Sequence, residues 1–331
     1  MAPNMRTGSD SQSCQVPVSL LQALKKHKYH LVGEHSAVKK CKWLHESLVH
    51  GRTCYKEKFY GIRSHRCLQM SPSAFYCTQQ CLFCWRAQSG DMKIAWNETK
   101  LPNWESAESV VDGSLKAQER ILSGYNGNEN ADLRKLREAL APRHVAISLT
   151  GEPTLYEHLG ELIAAFHKRA FTTFLVTNGT NPSKLAELSE EPTQLYVSLC
   201  APNREVYSRV CRPQLKDAWV KLNETLGLLP SFRCPTVIRT TLVKGLNMEN
   251  TREYARLIDK AKPTYVEAKA YMHVGFSSLR LSFDHMPSHG EVCDFASRLA
   301  EEIGYRILDE SSDSRVVLLS RLEKAIRFDA A

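Results

Sequence analysis

Short apolar stretches alternate with longer amphipathic stretches through most of the chain. Apolar runs at 145–149, 172–176, 195–199, 236–243 and 265–268 each have the length of one strand. Between them, apolar residues recur at helical spacing and predict helices at 106–124, 156–168, 182–189, 215–229, 251–261 and 290–302. Short strands that alternate with helices indicate a parallel sheet.

The number of strand–helix units narrows the fold further. With 72–76 as the first strand, the chain has six β/α units. We therefore expect an α/β fold, an incomplete (β/α)6 barrel whose chemistry lies at the C-terminal strand ends. The pattern also predicts helices at 18–27 and 133–140, and two closing strands at 305–308 and 315–319.

Positive charge concentrates near the N-terminus. The 331 residues carry a net charge of +8, and 15–67 alone holds eleven Lys or Arg against three carboxylates. Such a face is typical of a phosphate-backbone partner, although a solvated charged surface is the common alternative. Because basic residues and cysteines interleave here, the first interpretation gains weight.

The first fifteen residues are polar, without the apolar core of a secretory signal. Arg6 is their only basic residue, which makes an organellar transit peptide unconvincing. No run is long enough to span a membrane. We expect a cytoplasmic protein, with a mitochondrial location left open.

Three cysteines, Cys77, Cys81 and Cys84, stand at x3 and x2 spacing directly after the predicted first strand. Thiolates are the usual protein ligands of iron–sulfur clusters, and three ligands leave the fourth iron of a cubic cluster open. A closed zinc site requires four ligands. An open iron can bind a cofactor and deliver an electron to it.

A second set, Cys41, Cys54 and Cys67, has twelve residues between successive members. Eleven cysteines without an export signal favour metal or catalytic roles over disulfides. Structural zinc is the alternative for this set. Its fourth ligand would be His45, His50 or His65.

Polar residues close consecutive predicted strands. Gly151 and Glu152 follow the second strand and Asn178 follows the third. Ser198 ends the fourth strand, and Arg239 lies on the fifth. Each fits a turn or the core when taken alone, but their order along the sheet points to a ligand site at one edge.

Taken together, these motifs resemble the radical S-adenosylmethionine tRNA 4-demethylwyosine synthases, in their single-domain archaeal-type form. The resemblance covers almost the whole chain. It rests on the two cysteine sets, on Phe83 before Cys84, and on the flanking Met70-Ser71-Pro72-Ser73 and Trp85-Arg86. It also rests on further segments: Tyr55-Lys56, Phe59-Tyr60-Gly61-Ile62, Thr150-Gly151-Glu152-Pro153-Thr154, Thr177-Asn178-Gly179-Thr180 and Glu267-x-Lys269-x-Tyr271.

The resemblance implies the reaction. Members convert N1-methylguanosine beside the anticodon of tRNA-Phe to tricyclic 4-demethylwyosine, and pyruvate donates two carbons. A [4Fe-4S] cluster on Cys77, Cys81 and Cys84 would bind S-adenosylmethionine, whose cleavage yields the 5′-deoxyadenosyl radical. That radical takes a hydrogen from the N-methyl group.

The resemblance also assigns roles to further residues. Gly151 and Glu152 would hold the methionine amino group, and Asn178, Ser198 and Arg239 would lie along the ribose and carboxylate. A second [4Fe-4S] cluster would sit on the set Cys41, Cys54 and Cys67 and bind pyruvate.

Two lysines are candidates for a covalent role in the implied reaction. Lys56 is the candidate for a Schiff base with pyruvate, since cationic neighbours lower a lysine pKa, and Lys58, Arg63 and Arg66 are the candidate neighbours. Lys269 is the second candidate amine.

Further expectations follow for partners and organisation. The basic segment would grip the tRNA, with Trp43, Phe59 and Tyr60 as either base-stacking or core residues. We expect the single-domain form without the flavodoxin-like domain of eukaryotic members, and with it an external flavodoxin- or ferredoxin-like donor and a monomer. The chain would divide into a cluster-bearing extension (1–70), the barrel (71–303) and C-terminal strands (304–331). Cys200 stands where an acidic residue is usual.

Two other functions compete with this interpretation. One is a radical enzyme with a single cluster and a zinc-held N-terminal module, acting on another RNA base or a small molecule. The other is a non-enzymatic RNA-binding protein with structural zinc.

Overall fold

A computed structural model describes residues 16–328. The N-terminal segment on which the targeting expectation rests lies outside the described residues, as does Cys14. None of the helices within 16–328 combines the length and apolar character that crossing a bilayer requires.

Within residues 16–328, ten strands form one sheet in the order β1-β2-β3-β4-β5-β6-β7-β8-β10-β9. The strands are β1 (Tyr29–Val32), β2 (Ser36–Lys39), β3 (Cys67–Ser71), β4 (His144–Ile147), β5 (Thr172–Thr177), β6 (Gln194–Ser198), β7 (Thr236–Leu242), β8 (Tyr265–Ala270), β9 (Arg306–Ser311) and β10 (Val316–Ser320). Strands β3 to β8 are parallel to one another, and the four pairings outside them, β1–β2, β2–β3, β8–β10 and β10–β9, are antiparallel. The sheet is therefore a six-stranded open barrel extended at both edges. The periodicity predicts the strand–helix units and the C-terminal strands β9 and β10, but it does not predict β1 and β2.

Helices connect the strands. They are α1 (Val18–Lys26), α2 (Lys42–Val49), α3 (Tyr55–Tyr60), α4 (Ala107–Ser123), α5 (Leu133–Ala139), α6 (Leu159–Lys168), α7 (Pro182–Ala186), α8 (Arg204–Val210), α9 (Ala218–Leu228), α10 (Thr251–Ala261) and α11 (His289–Ile303). The ends of the predicted helices lie within about three residues of the observed bounds. The pattern missed the short helices α2, α3 and α8.

Alternation along each strand produces two cores. Leu195 and Val197 of β6 point into the main core beneath the helices. Tyr196, between them, lies with Phe174 of β5 in a second core on the concave side of the sheet. Short α3 fills this concave core, because its buried face carries Tyr55 and other aromatic residues. Aromatic side chains of α3, which precedes the barrel in the chain, thus fill part of the concave side of the six-stranded barrel.

The first parallel strand is β3, so the predicted strand at 72–76 is wrong. That stretch forms a turn after Ser71. The physical reason is that Pro72 has no N–H for the ladder, so the strand ends before it. Cys67 consequently lies at the start of the strand, and Cys77 lies beyond its end.

The strands outside the barrel join the same sheet. Strand β2 pairs with β3, and β10 pairs with β8. The expected division of the chain after residue 70 falls inside β3. The three-part division stays a prediction.

Candidate active site

The first cysteine set lies on the loop that follows β3. Cys77, Cys81 and Cys84 are all free, half-buried thiols. Burial raises the pKa of Cys77, and the Arg86 guanidinium acts in the opposite direction. A half-buried set of three free thiols beside a cation has the donor chemistry that a cluster with one open iron requires.

Two arginines hold this loop in place. Arg86 is fully buried and pairs with Glu98 at 2.6 Å, while it also donates to the carbonyl of Gln79 at 3.1 Å. Arg280 donates to the carbonyls of Leu82 and Cys84 from beyond β8. Sequence reasoning missed both roles: Arg86 stands near the motif, but nothing near Arg280 signals its contact with the loop.

The loop after β4 packs directly against the cysteine loop. Gly151 has φ of +74°, and a Cβ there would lie 1.8 Å from the carbonyl oxygen of Ser73. The amide N–H of Glu152 donates to the carbonyl of Tyr76 at 2.8 Å. Gly151 therefore permits the close backbone approach that positions the cysteines.

Glu152 is buried, and its carboxylate organises this end of the barrel. It accepts hydrogen bonds from Thr154, from Thr177 Oγ1 at 2.6 Å and from the amide of Asn178 at 2.7 Å. Burial raises the pKa of Glu152 in spite of these donors. Its expected contact with a methionine amino group stays a prediction.

Asn178 lies beside the cluster motif. Its Nδ2 donates to Thr78 Oγ1 at 2.9 Å and lies 3.7 Å from Cys77 Sγ. Asn178, a predicted cofactor residue, thus directly contacts a cysteine of the first set. Ser198 is half-buried and ends β6 at the register position beside Arg239 of β7.

Arg239 forms an ion pair with Glu267 on the concave face of the sheet. Glu267 of β8 stands at the same register, and its carboxylate lies 2.8 Å from the Arg239 guanidinium. Arg239 also donates to the hydroxyl of Tyr55 at 2.7 Å, and Tyr60 donates to Glu267 at 2.8 Å. Burial favours protonation of Glu267, but Arg239 and Lys56 outweigh it and hold the pKa below the usual value.

Lys56 reaches the same concave face from α3. Its Nζ lies 4.5 Å from the ring centre of Phe174 and 4.3 Å from that of Tyr196. Within residues 16–328 no hydrogen-bond acceptor contacts this Nζ. Burial first, and Arg239 second, lower the pKa of Lys56 to about 8. A buried amine without an acceptor is suited to react with a carbonyl.

The cations named from the sequence have other partners. Lys58 pairs with Asp309 at 2.7 Å, and Arg63 pairs with Glu138 at 3.2 Å. Arg66 donates to the carbonyl of Ala141. The expectation that these three lower the Lys56 pKa is wrong: burial and Arg239, which is distant in sequence, do so.

Lys269 lies on β8 near Tyr55, with Nζ 4.6 Å from the ring centre. Burial and Arg239 lower its pKa to about 8 as well. In contrast to Lys56, its Nζ donates to the carbonyl of Ser314 at 3.0 Å.

The second cysteine set lies at the start of three elements. Cys41 and Cys54 are the N-cap residues of α2 and α3, and Cys67 begins β3. Burial raises the pKa of the Cys41 thiol, and the first N–H groups of α2 counteract this effect. Helix N-termini favour thiolate over thiol, which suits a metal ligand.

Two of the three histidines offered as a fourth zinc ligand have other partners. His45 contacts the Tyr125 hydroxyl at 2.9 Å, and His65 contacts Glu138 at 2.8 Å. A single zinc ion needs its ligand atoms packed closely around one centre. In the part of the chain that the structure describes, the set Cys41, Cys54 and Cys67 does not form such a compact group. The expected second cluster on this set stays a prediction.

The three aromatic residues considered for base stacking differ in exposure. Phe59 and Tyr60 are buried in the concave core and cannot stack on RNA. Trp43 is half-buried next to Lys42.

Comparisons with known proteins agree on one family. The Radical SAM superfamily model matches residues 72–258, and the Wyosine base formation model matches residues 260–321. The S-adenosyl-L-methionine-dependent tRNA 4-demethylwyosine synthase of Pyrococcus abyssi is 49% identical over 92% of this chain and 90% of its own. The protein of the same name from Methanocaldococcus jannaschii is 42% identical over 94% of this chain and 98% of its own.

Solved structures give the same result. The structure of TYW1 with a lysine–pyruvate adduct bound has a TM-score of 0.85 at 40% identity, covering 95% of this chain and 99% of that one. The crystal structure of archaeal TYW1 has a TM-score of 0.79 at 36% identity, covering 95% of this chain and 100% of that one.

Proposed function

The chain belongs to the family of S-adenosyl-L-methionine-dependent tRNA 4-demethylwyosine synthases, and from this we propose the roles of its residues. It is a radical S-adenosylmethionine enzyme of wyosine biosynthesis, with S-adenosylmethionine and a [4Fe-4S] cluster as cofactors. We propose that it converts N1-methylguanosine in tRNA-Phe to 4-demethylwyosine with pyruvate as two-carbon donor. The observation that carries the proposal is a buried Lys56 on the concave face of a barrel that bears two sets of three free cysteines.

Cys77, Cys81 and Cys84 would hold the first cluster. When bound, the cluster supplies the electron that cleaves S-adenosylmethionine and starts the radical chemistry. Arg86 and Arg280 keep the three thiols in place through the loop carbonyls. Gly151, Glu152 and Asn178 lie on the loops after β4 and β5, next to the cysteine loop, where they would contact the cofactor. Ser198 is proposed as a further cofactor contact from the end of β6.

Arg239 would act from a fixed position. Because Glu267 and Tyr55 hold its guanidinium, it offers a positioned positive charge to a carboxylate that enters the concave side. The N–H groups on its Nη1 are suited to a charge-assisted hydrogen bond with the carboxylate of pyruvate or of the cofactor. We place it nearer to the pyruvate lysine, since it lies over the same Tyr196 ring as Lys56.

Lys56 would form the covalent adduct with pyruvate. Its neutral amine attacks the keto carbon, water leaves, and a carbon–nitrogen double bond remains. The solved relative with a lysine–pyruvate adduct supports this chemistry for the family. Lys56 is favoured over Lys269 because the Ser314 carbonyl already accepts a hydrogen bond from Lys269.

Borohydride trapping separates the two lysines. Reduction in the presence of pyruvate should fix a pyruvate-derived mass on the peptide that contains Lys56. We expect Lys56→Gln to lose the adduct and the activity, whereas the matched Lys269→Gln variant keeps the adduct. An adduct that persists in Lys56→Gln and disappears in Lys269→Gln would reverse the assignment.

The set Cys41, Cys54 and Cys67 would hold a second [4Fe-4S] cluster. Support comes from the helix N-termini at two of the thiols and from the absence of a compact zinc arrangement of these thiols in residues 16–328. Anaerobic reconstitution should give about eight irons per chain, from two four-iron clusters. About four irons together with bound zinc would favour a one-cluster enzyme with a zinc-held N-terminal module.

The remaining partners are inferred from the same site. The electron would come from an external flavodoxin- or ferredoxin-like donor, and the chain would act as a cytoplasmic monomer. Incubation of reconstituted protein with methylated tRNA, pyruvate and a chemical reductant, followed by nucleoside mass analysis, tests the whole reaction. Absence of 4-demethylwyosine while S-adenosylmethionine is still cleaved would point to a different substrate.

A further inference from the structure

A group of three metal-binding side chains lies away from both cysteine sets. His289 is the first residue of α11, Cys293 follows one turn later on the same face, and Glu310 lies on β9. Strand β9 is an edge strand of the sheet. None of these residues takes part in the function proposed above.

The three side chains converge on one point. Cys293 Sγ lies 3.5 Å from His289 Nε2 and 3.3 Å from Glu310 Oε2. His289 Nε2 lies 3.4 Å from the same carboxylate oxygen. Within residues 16–328 this is the single group of three such ligand atoms that all lie within 4.8 Å of one another.

These separations match tetrahedral zinc. Zinc binds thiolate at about 2.3 Å and imidazole or carboxylate at about 2.0–2.2 Å, so at the tetrahedral angle two ligand atoms lie about 3.3–3.7 Å apart. The mixed sulfur, nitrogen and oxygen donor set suits zinc, whereas magnesium and calcium prefer oxygen donors.

We propose that His289, Cys293 and Glu310 form a zinc site that joins the start of α11 to the edge strand β9. The Glu310 side chain is 56% exposed, so water has access to complete the coordination. On binding, the thiol proton that Cys293 donates to Glu310 is released to solvent, and zinc takes its place between the two groups. Because α11 and β9 are separate elements, the metal would stabilise the folded chain by mass action.

Zinc counting on the cluster-loaded, full-length protein tests the proposal. The protein is equilibrated anaerobically with buffered micromolar Zn²⁺, and zinc per chain is measured by mass spectrometry together with zinc X-ray absorption. We expect one zinc with one sulfur and the remaining ligands nitrogen or oxygen. The Cys293→Ser and His289→Ala variants should lose it, and Zn²⁺ should raise the Tm of the wild type but not of these variants.

Cys234→Ser is the matched control. Cys234 is also half-buried and lies beside a carboxylate, Glu191, but no histidine joins them in a compact group within the described residues. This variant should keep the full zinc content. Zinc that is retained by Cys293→Ser, zinc surrounded by three sulfurs as in a cysteine set, or no retained zinc would each overturn the proposal. Since the readout is metal content, these outcomes are independent of tRNA modification.

Discussion

Arg239 shows what a single residue's sequence position can and cannot reveal. The sequence predicts that Arg239 lies near the cofactor because it stands on the fifth predicted strand. Its actual partner, Glu267, is 28 residues away and meets it through the register of β7 and β8. Register is a property of the folded sheet, so the ion pair could not be predicted from the order of residues.

Replacing Glu267 should leave a buried positive charge without its partner. We expect Glu267→Gln to lower the free energy of unfolding by roughly 3 kcal/mol, because breaking a buried pair exposes the full desolvation cost. Denaturant-induced unfolding of wild type and variant measures this loss in the free energy of unfolding.

The surface pair of Arg252 and Glu302 provides the control, since the Arg252 side chain is 83% exposed. Glu302→Gln should cost less than about 1 kcal/mol. Equal losses in the two variants would mean that Arg239 is not held by its charge partner.

Gly151 gives a prediction about the cysteine loop. A methyl group at this position would meet the Ser73 carbonyl, and backbone cannot move aside as a flexible side chain can. Gly151→Ala should therefore reduce the iron bound by Cys77, Cys81 and Cys84, and with it S-adenosylmethionine cleavage. Iron counting and a cleavage assay under dithionite measure both.

A substitution at Gly127 is the control that distinguishes backbone strain from the clash with the Ser73 carbonyl. It also has positive φ, +81°, but nothing lies within 4 Å of the position that a Cβ would take there. Gly127→Ala should cost about 1 kcal/mol of stability and leave the iron content unchanged. A similar loss of iron in both variants would show that strain, rather than the contact with Ser73, is responsible.

At the scale of elements, the long helices and buried strands were predictable and the short pieces near the N-terminus were not. Strands β1 and β2 have four residues each, too few for a periodicity to be read. The N-cap residues of helices α2 and α3 are Cys41 and Cys54, and cysteine is not one of the usual N-cap residues. The cysteine spacing was visible, but that two of the cysteines cap helices was not.

The N-cap of α5 yields a prediction with a defined pH dependence. Asp132 accepts hydrogen bonds from the amides of Arg134 and Lys135, and these bonds lower its pKa below the usual 3.8. A carboxylate with a lowered pKa stabilises the fold above its ordinary pKa, and this contribution disappears as the pH falls through the folded value. Asp132→Ala should thus lower Tm at pH 7, and the difference from wild type should shrink below about pH 3.8.

Asp132→Asn is the control for the hydrogen bonds themselves, since asparagine caps helices about as well as aspartate. It should keep most of the stability at pH 7 and remove the titration. Thermal unfolding followed by circular dichroism, down to the lowest pH at which wild type stays folded, provides the comparison. A pH-independent deficit in Asp132→Ala would show that the carboxylate charge contributes nothing.

At the scale of the whole molecule, the barrel was predictable because six strand–helix units repeat one pattern. The content of its concave side was not, because α3 comes from a segment that precedes the barrel. Cys67 begins β3 and Cys77 follows its end, so the two cysteine sets lie at different heights of one sheet. About 13 Å of strand separates the start of β3 from its end, at roughly 3.3 Å per residue. This arrangement is a property of the folded chain that the spacing of cysteines could not predict.

The distribution of charge gives the last prediction. Lys40 and Lys42 flank Cys41, are exposed, and have no carboxylate partner among residues 16–328. If they contact tRNA phosphates, replacing both by Gln should weaken tRNA binding. It should also reduce the slope of log affinity against log salt by roughly 1.4 to 1.8, since each neutralised phosphate contributes about 0.7 to 0.9. Filter binding across a salt series measures both quantities.

The matched control removes two positive charges that are already paired with carboxylates. Arg52 pairs with Glu46, and Lys58 pairs with Asp309, so neither cation is free to release a counterion from the RNA. The Arg52→Gln, Lys58→Gln double variant should therefore change the slope much less, although the net charge falls equally. Equal changes in the two double variants would mean that the tRNA responds to net charge alone. A selective effect of Lys40 and Lys42 would instead place the RNA backbone next to the second cysteine set, on the side from which α3 carries Lys56 into the barrel.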